Sequence, residues 1–489
     1  MKYISTRGDQ NAKTAAQAVI QGIAKDKGLF VPDAIPALPA TLEEMAGKTY
    51  QEIAFSVIKS FFTDYSDEEI KHCVDSAYDK KFEAEEIVPI KKAGDAFFLE
   101  LYHGKTAAFK DMALSILPYL LTTAMKKEKE DKKIVILTAT SGDTGKAALE
   151  GFADVPNTEI IVFYPKEGVS EVQERQMVTQ EGKNTHVFAI KGNFDDAQTG
   201  VKKIFNDEEF AAELEKKGCK FSSANSINIG RLIPQVAYYV YAYAKLLERG
   251  ELKAGDKMNI VVPTGNFGNI LAAYYAKNMG IPVGKLICAS NENKVLTDFI
   301  NTGIYDIHRE FHLTNSPSMD ILISSNLERL LYHLSGSNGE EIAQLMDSLD
   351  QNKKYQVGEK IKEGLSQFYG GFANMEETNE TIGKMYEKGY LMDTHTAVAY
   401  KVYQDYKKET GDETVTVIAS TASAYKFADS VATSIGLPKE KDGFAYVASL
   451  HEKTGVTIPS GLVDLEKKPV LHTGVLEKDE MYKAVNESL

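Results

Sequence analysis

After about residue 130 the chain repeats one rhythm: a short β-branched run, a turn rich in Gly, Ser, Thr or Asn, then a helical pattern. "KKIVILTATSGDTGKAALEGF" shows it first and predicts a strand over 133–138 and a helix from about 145. "EIIVFYPKEG" followed by "SEVQERQMVTQEG" repeats it, with Ser170 and Gln173 at capping-box spacing. "HVFAIKG" with a helix over 194–206, "KMNIVVPTGNFGNILAAYYAKNMG", "KLICASNEN" and "VTVIASTASAYKFADSVATSIG" continue it. Strands that alternate with helices imply parallel sheets, because each crossover helix returns the chain to the same edge and covers a face. The fold class is α/β.

The first 95 residues follow another pattern. "TLEEMAGKTYQEIAFSVIKSFF" and "SDEEIKHCVDSAYDKKF" are amphipathic at helical spacing, each opened by Thr or Ser with Glu three residues on. They predict a mainly helical N-terminal region over 1–95, before a smaller α/β domain over 96–250 and a larger one over 251–489. Residues 305–390 are again helix-rich, as in "SMDILISSNLERLLYHLSG", and read as an elaboration of the larger domain.

The 489 residues carry a net charge of −14, which argues against a nucleic-acid partner, since phosphate backbones select a basic face. Cys73, Cys219 and Cys288 lie far apart, without the CxxC spacing of a zinc site or the density of a disulfide framework. No stretch approaches the roughly 18 apolar residues of a membrane span, and the start lacks the apolar run of a signal peptide. A soluble, cytoplasmic protein is expected, with no membrane partner and no metal; no HExxH or similar spacing is present.

Three loops that follow strands carry small polar residues. In parallel α/β sheets ligands bind beyond the carboxyl ends of the strands, where helix N-termini present unpaired N–H groups. "ATSGDTGK" places Ser141, Gly142, Asp143 and Thr144 there, either as an anion loop or as an ordinary capped turn. It is not a nucleotide P-loop, which would need Gly at Thr140 and Ser or Thr at Ala147. "VVPTGNFGNILAAYY" is stronger. Gly265 and Gly268 flank a turn that opens a helix at about Asn269, so the backbone can wrap one phosphate; a tight turn that needs positive φ is the plainer alternative. "VTVIASTASAYKF" sets Ser420, Thr421 and Ser423 just past an apolar strand.

"YHGKTAAFKDMALSILPYLL" holds Lys110 between Phe109 and Asp111 at the mouth of an apolar helical stretch. A lone lysine is usually a solvated cation. Beside a monophosphate cradle and an anion loop it has another use, an imine with the aldehyde of pyridoxal phosphate, because burial depresses a lysine pKa and frees the amine as nucleophile and base.

These motifs also resemble a known family. "LELYHGKTAAFKD", "TSGDTG", "ANSINIGRLIPQ", "PTGNFGN", "SPSMDILISSNLERLL" and "STASAYKF", with "GLFVP" at 28–32, are similar in kind and order to those of the threonine synthases, which are pyridoxal-phosphate enzymes of fold type II. The resemblance runs from about residue 3 to 430. It implies two parallel-sheet domains plus the N-terminal region, and conversion of O-phospho-L-homoserine and water to L-threonine and phosphate.

By the same resemblance, Lys110 forms the Schiff base and then moves protons. Gly265, Asn266, Phe267, Gly268 and Asn269 hold the cofactor phosphate, and Thr421 bonds the pyridine nitrogen. Ser141, Gly142, Asp143 and Thr144 take the substrate carboxylate and the 3-oxygen side of the ring. The substrate phosphate needs its own cation: Arg231 first, for its bidentate guanidinium, then Lys105, with Asn225 and Asn228 orienting the group.

The chain departs from the family in three places. Lys105 stands where proline is usual. Asp143 stands where many fold-type-II enzymes have asparagine, so it is expected to be protonated or turned away from the ring oxygen. "SINIGR" has Ile and Gly where Trp and Ala are commoner. His395 reads as a structural histidine, and "VAYYVYAYAKLL" over 236–247 as a buried helix. The rival readings are a dehydrating or β-replacing enzyme of the same fold, and a non-catalytic binder of a phosphorylated metabolite. The oligomeric state is left at monomer or homodimer.

Overall fold

The computed structural model describes residues 1–167 and 169–489, with Asp195 described by its backbone alone. Two sheets organise it. The larger has six strands in the order Phe368–Phe372, Val283–Ser290, Met258–Pro263, Thr416–Ser420, Ala96–Glu100, Ile90–Ala93. All its neighbours are parallel except the last two, which form an antiparallel hairpin at one edge. The smaller has five parallel strands in the order Gly474–Leu476, Thr185–Ile190, Thr158–Pro165, Lys133–Ala139, Cys219–Ser222. Met258–Pro263, Ala96–Glu100 and Thr416–Ser420 are buried at every residue, the mark of strands covered on both faces.

The strand–helix rhythm translates closely into structure. The strand expected over 133–138 is Lys133–Ala139, and the helix expected over 194–206 is Phe194–Asn206. Both predicted N-terminal boxes form, at Thr41 with Glu44 and Ser66 with Glu69, and a further one at Thr49 with Glu52 opens the Tyr50–Phe61 helix. Ser170 forms only half of its box. Its hydroxyl accepts the Gln173 N–H at 3.2 Å, but the Gln173 side chain leaves the helix terminus and donates to Asp143 Oδ1 at 2.8 Å. A local rule is broken there in favour of a distant partner.

Chain order and sheet order part company twice. Residues 90–100, expected to end the N-terminal region and open the smaller domain, supply two strands of the larger sheet. Gly474–Leu476, expected in the larger domain, crosses back to the edge of the smaller sheet. The N-terminal region also holds a short antiparallel pair, Tyr3–Ser5 with Phe30–Pro32, too brief to show alternation in sequence. Its helices share one apolar core with the long Ile229–Glu248 helix. There Tyr50 meets Tyr78 and Tyr241 edge-on, with ring centroids 5.0 and 5.5 Å apart. No helix among the described residues is long and apolar enough to cross a membrane.

Arg329 ties these parts together. It is fully buried, and its guanidinium donates to the carbonyls of Phe30 (2.9 Å) and Ile227 (2.5 Å) and to Asn326 Oδ1 (2.5 Å). Burial lowers its pKa to about 10, so it remains a cation at neutral pH. Arg329→Met leaves these three acceptors, two of them fully buried, bare at about 1 kcal/mol or more each. The expected loss is about 3 kcal/mol, read as a lowered urea midpoint for the full chain.

Candidate active site

The loop that carries Lys110 follows Ala96–Glu100 and is laced to the loop after Thr416–Ser420. Phe109 donates its N–H to the Thr421 carbonyl at 2.7 Å and Ser423 donates to Ala107 at 3.0 Å, with a bridge between Ala108 and Ala422. Asp111 locks the same loop from within. Its carboxylate accepts the Thr106 N–H at 2.8 Å and the Thr106 hydroxyl at 2.6 Å. Gly104 is required beneath it, since a Cβ there would lie 2.5 Å from Asp111 Oδ2. Ala107 holds φ of +59°, a left-handed conformation that a side chain disfavours and that surrounding bonds must maintain.

This scaffold holds Lys110 out of water, 9% exposed. Its amine donates to Ser318 Oγ at 3.2 Å and lies 3.8 Å from Asp143 Oδ2. Burial, aided by Arg231 and Lys426 and opposed by Asp143, brings its pKa down to about 8. The amine is therefore neutral in about a tenth of molecules at pH 7, far more than a solvated lysine allows.

Ser318 also links the lysine to the glycine turn: its carbonyl lies 2.5 Å from where a Cβ on Gly265 would stand. Only glycine lets the two segments approach so closely. The turn is pinned by the segment after Ser318. Ser324 Oγ donates to the Gly265 carbonyl at 2.7 Å, and the Asn326 backbone and side chain both donate to the Asn266 carbonyl, at 3.0 and 3.1 Å. Neither Gly265 nor Gly268 has positive φ. Phe267 does, at +66°, directly before the Gly268–Met279 helix, which starts one residue earlier than expected. The turn thus uses its glycines for close approach. Asn269 follows, with Oδ1 receiving the hydroxyls of Tyr238 (2.7 Å) and Tyr239 (2.5 Å). Its Nδ2 is buried without a partner among the described residues, and a bare donor at a helix N-terminus is a place for an anion. The tyrosine-rich helix is buried, as expected, and it also aims this amide.

Asp143 opens the Asp143–Phe152 helix and is ionised, held well below the usual carboxylate range by Lys426 and Lys110 against its burial. Its Oδ1 receives Gln173 Nε2 at 2.8 Å and Lys426 Nζ at 2.9 Å. Of the two expectations for this residue, protonation is not met, since Lys426 and Lys110 hold its charge. An ionised Asp143 would repel a substrate carboxylate, so its charge weighs against that expected role. Gly142 has φ of +140°, and its N–H is taken by Thr140 Oγ1 at 3.0 Å, which removes one expected anion donor. Ser141 and Thr144 are half-buried on either side.

The remaining expected residues divide. Arg231 is buried, with one nitrogen bonded to the Ala224 carbonyl at 2.9 Å and Nε bare among the described residues. Asn228 is fully occupied in shaping the turn: Oδ1 accepts the Gly230 N–H at 2.9 Å, and Nδ2 donates to Val19 and Ser223 carbonyls. Asn225 is half-buried and its carbonyl accepts the Asn228 N–H. Lys105 is 50% exposed and paired with Glu150 at 3.1 Å, outside the buried group. His395 is structural, as expected. Its Nδ1 lies 3.1 Å from Asp393 and its Nε2 accepts the Ser318 N–H at 3.2 Å, so it braces the serine that meets Lys110. The sequence reading missed Ser318, Asn326 and Lys426. Only long-range contacts single them out, although each lies inside a motif that was noticed.

Three family profiles cover the chain: "Threonine synthase N terminus" over residues 2–78, "Pyridoxal-phosphate dependent enzyme" over 86–421, and "Threonine synthase, C-terminal" over 396–483. The chain belongs to the threonine synthase family. It is 39% identical over 460 residues to the threonine synthase of Pseudomonas aeruginosa, covering 93% of this chain and 94% of that one. It is 40% identical over 436 residues to threonine synthase-like 1 of Macaca fascicularis, covering 86% of this chain but only 58% of that protein. A crystal structure of PLP-bound threonine synthase from Brucella melitensis superimposes with a TM-score of 0.88 at 34% identity, covering 100% of this chain and 99% of that one. Membership of this pyridoxal-phosphate-dependent family agrees with the fold type II architecture of two parallel sheets.

A lysine with pKa near 8 captures an aldehyde only as its neutral amine. Capture of pyridoxal phosphate by the cofactor-free chain, followed by absorbance, is expected to quicken roughly tenfold per pH unit below about 8 and to level off above it. A plateau reached only near the ordinary lysine pKa would show that the amine is solvated.

Proposed function

We propose that the chain converts O-phospho-L-homoserine and water to L-threonine and phosphate, in the cytoplasm. The observation that carries the reading is the buried Lys110 amine held through Ser318 against a glycine turn whose next helix presents Asn269 Nδ2, without a partner among the described residues. These residues fit pyridoxal phosphate: Lys110 for its aldehyde, Gly265 to Asn269 for its phosphate, and Thr421, buried at the end of its strand, for the ring nitrogen. When bound, the cofactor supplies an electron sink that stabilises negative charge at the substrate carbon next to the amine.

The chain's own residues do the rest. Lys110 Nζ, once free, takes the proton from the α-carbon and serves again at the β-carbon, because a base with pKa near 8 both accepts and releases protons at neutral pH. Arg231 offers its bare Nε to the substrate phosphate, and Ser141 and Thr144 offer hydroxyls to the substrate carboxylate. Asn225 belongs to the turn that leads into the Arg231 helix, and Asn228 holds that turn in shape. Lys105, half exposed and paired with Glu150, is left out of the binding set.

Borohydride reduction of the loaded protein followed by peptide mapping is expected to place the label on Lys110, and Lys110→Ala to abolish turnover with the fold retained. Label on another lysine would refute the assignment. For Arg231→Ala the expectation is a KM for O-phospho-L-homoserine raised at least about tenfold, with cofactor absorbance unchanged. Loss of the cofactor instead would mean that Arg231 serves the cofactor. Turnover of serine in preference to O-phospho-L-homoserine would favour a dehydratase.

A further inference from the structure

Lys426 is wholly enclosed beside the site, with a side chain 0% exposed. It comes from the Ala424–Phe427 turn beyond the larger sheet and reaches across the seam to three partners on other elements. These are the Thr106 carbonyl on the loop that carries Lys110 (3.1 Å), Gln176 Oε1 on the Glu171–Val178 helix (2.5 Å) and Asp143 Oδ1 (2.9 Å). A staple alone needs no charge, and an amide or hydroxyl would serve the first two acceptors at less desolvation cost. Of the three groups it contacts, only Asp143 carries a charge.

Two amines compete for that carboxylate. Lys426 holds it at 2.9 Å, whereas Lys110 stands off at 3.8 Å and spends its hydrogen bond on Ser318. We propose that Lys426 is a positioning residue that occupies Asp143, so that Lys110 is left out of a close ion pair and free to lose its proton. The proposal rests on Lys110 being the aldehyde-capturing amine. The charged groups that bear on Lys110 are Asp143 from the Asp143–Phe152 helix, Arg231 from the Ile229–Glu248 helix, Lys426 itself, and Asp111 beside it. Those that bear on Lys426 include Asp143, Asp111 and Lys146. Asp111, pushed up to about 6 by burial, titrates below the range in which Lys110 does.

Without the Lys426 charge, Asp143 turns wholly to Lys110 and one repelling cation is gone. Both changes hold the proton on Lys110 more tightly. Capture itself consists of proton loss from the Lys110 ammonium to water, then addition of the amine to the aldehyde carbon, with the carbonyl oxygen leaving as water.

The test uses the full-length chain, pyridoxal phosphate as probe, and borohydride label at Lys110 counted by mass spectrometry across neutral and alkaline pH. Lys426→Met is expected to move the capture midpoint upward by about one pH unit, roughly tenfold less label at neutral pH. Lys426→Gln, which keeps a donor to Asp143 without the charge, carries the same expectation should the methionine variant fail to fold. Adding Asp143→Asn to either is expected to return the midpoint to or below that of the parent, a reversal that a merely structural staple would not produce. An unchanged midpoint in a variant with the parent's circular dichroism overturns the proposal and leaves the function intact. Absence of label at Lys110 in the parent overturns both.

Discussion

One buried carboxylate faces two buried amines, and the site depends on how it is shared. Desolvation makes every charge in this space expensive, so the arrangement is tolerable only with each group paired or deprotonated. Asp143 stays ionised because two cations surround it, and Lys110 is eased toward neutrality because burial and two further cations oppose its charge. The same features that would weaken a structural ion pair prepare an amine to act as nucleophile and base.

The fold supplies this geometry from strand ends. The loops after Ala96–Glu100, Lys133–Ala139, Met258–Pro263 and Thr416–Ser420 deliver the lysine, the carboxylate, the glycine turn and the opposing threonine. The hairpin edge at 90–100 gives the lysine loop to the larger sheet, while Asp143 belongs to the smaller one. The Lys110–Asp143 approach therefore spans the two sheets, and so does Lys426. Gln173 joins from a third direction, at the cost of half a capping box.

The sequence made the parallel α/β class legible because covered strands are continuous apolar runs and their loops collect small polar residues. The same logic picked out the loops of Lys110, Asp143 and Gly265 to Asn269, which the structure brings near one another around Ser318. Less visible was anything set by distant contact. Ser318, Asn326 and Lys426 matter because of residues from 60 to more than 200 positions away, and no spacing rule reports that. Residues 90–100 and 474–476 were misplaced because strand order in a sheet differs from order along the chain. Asn228 looked like a ligand group since an asparagine serves equally as a cap, and only its three filled bonds distinguish the roles.

The central claim is spatial: one amine and one phosphate turn share a closed space. A crystal structure of the full chain grown with pyridoxal phosphate measures it most directly. The account predicts continuous electron density from Lys110 Nζ to the cofactor's aldehyde carbon, with the cofactor phosphate on the backbone of Gly265 to Asn269 and within reach of Asn269 Nδ2. Density joining the cofactor to another lysine, or a phosphate seated away from that turn, would contradict it.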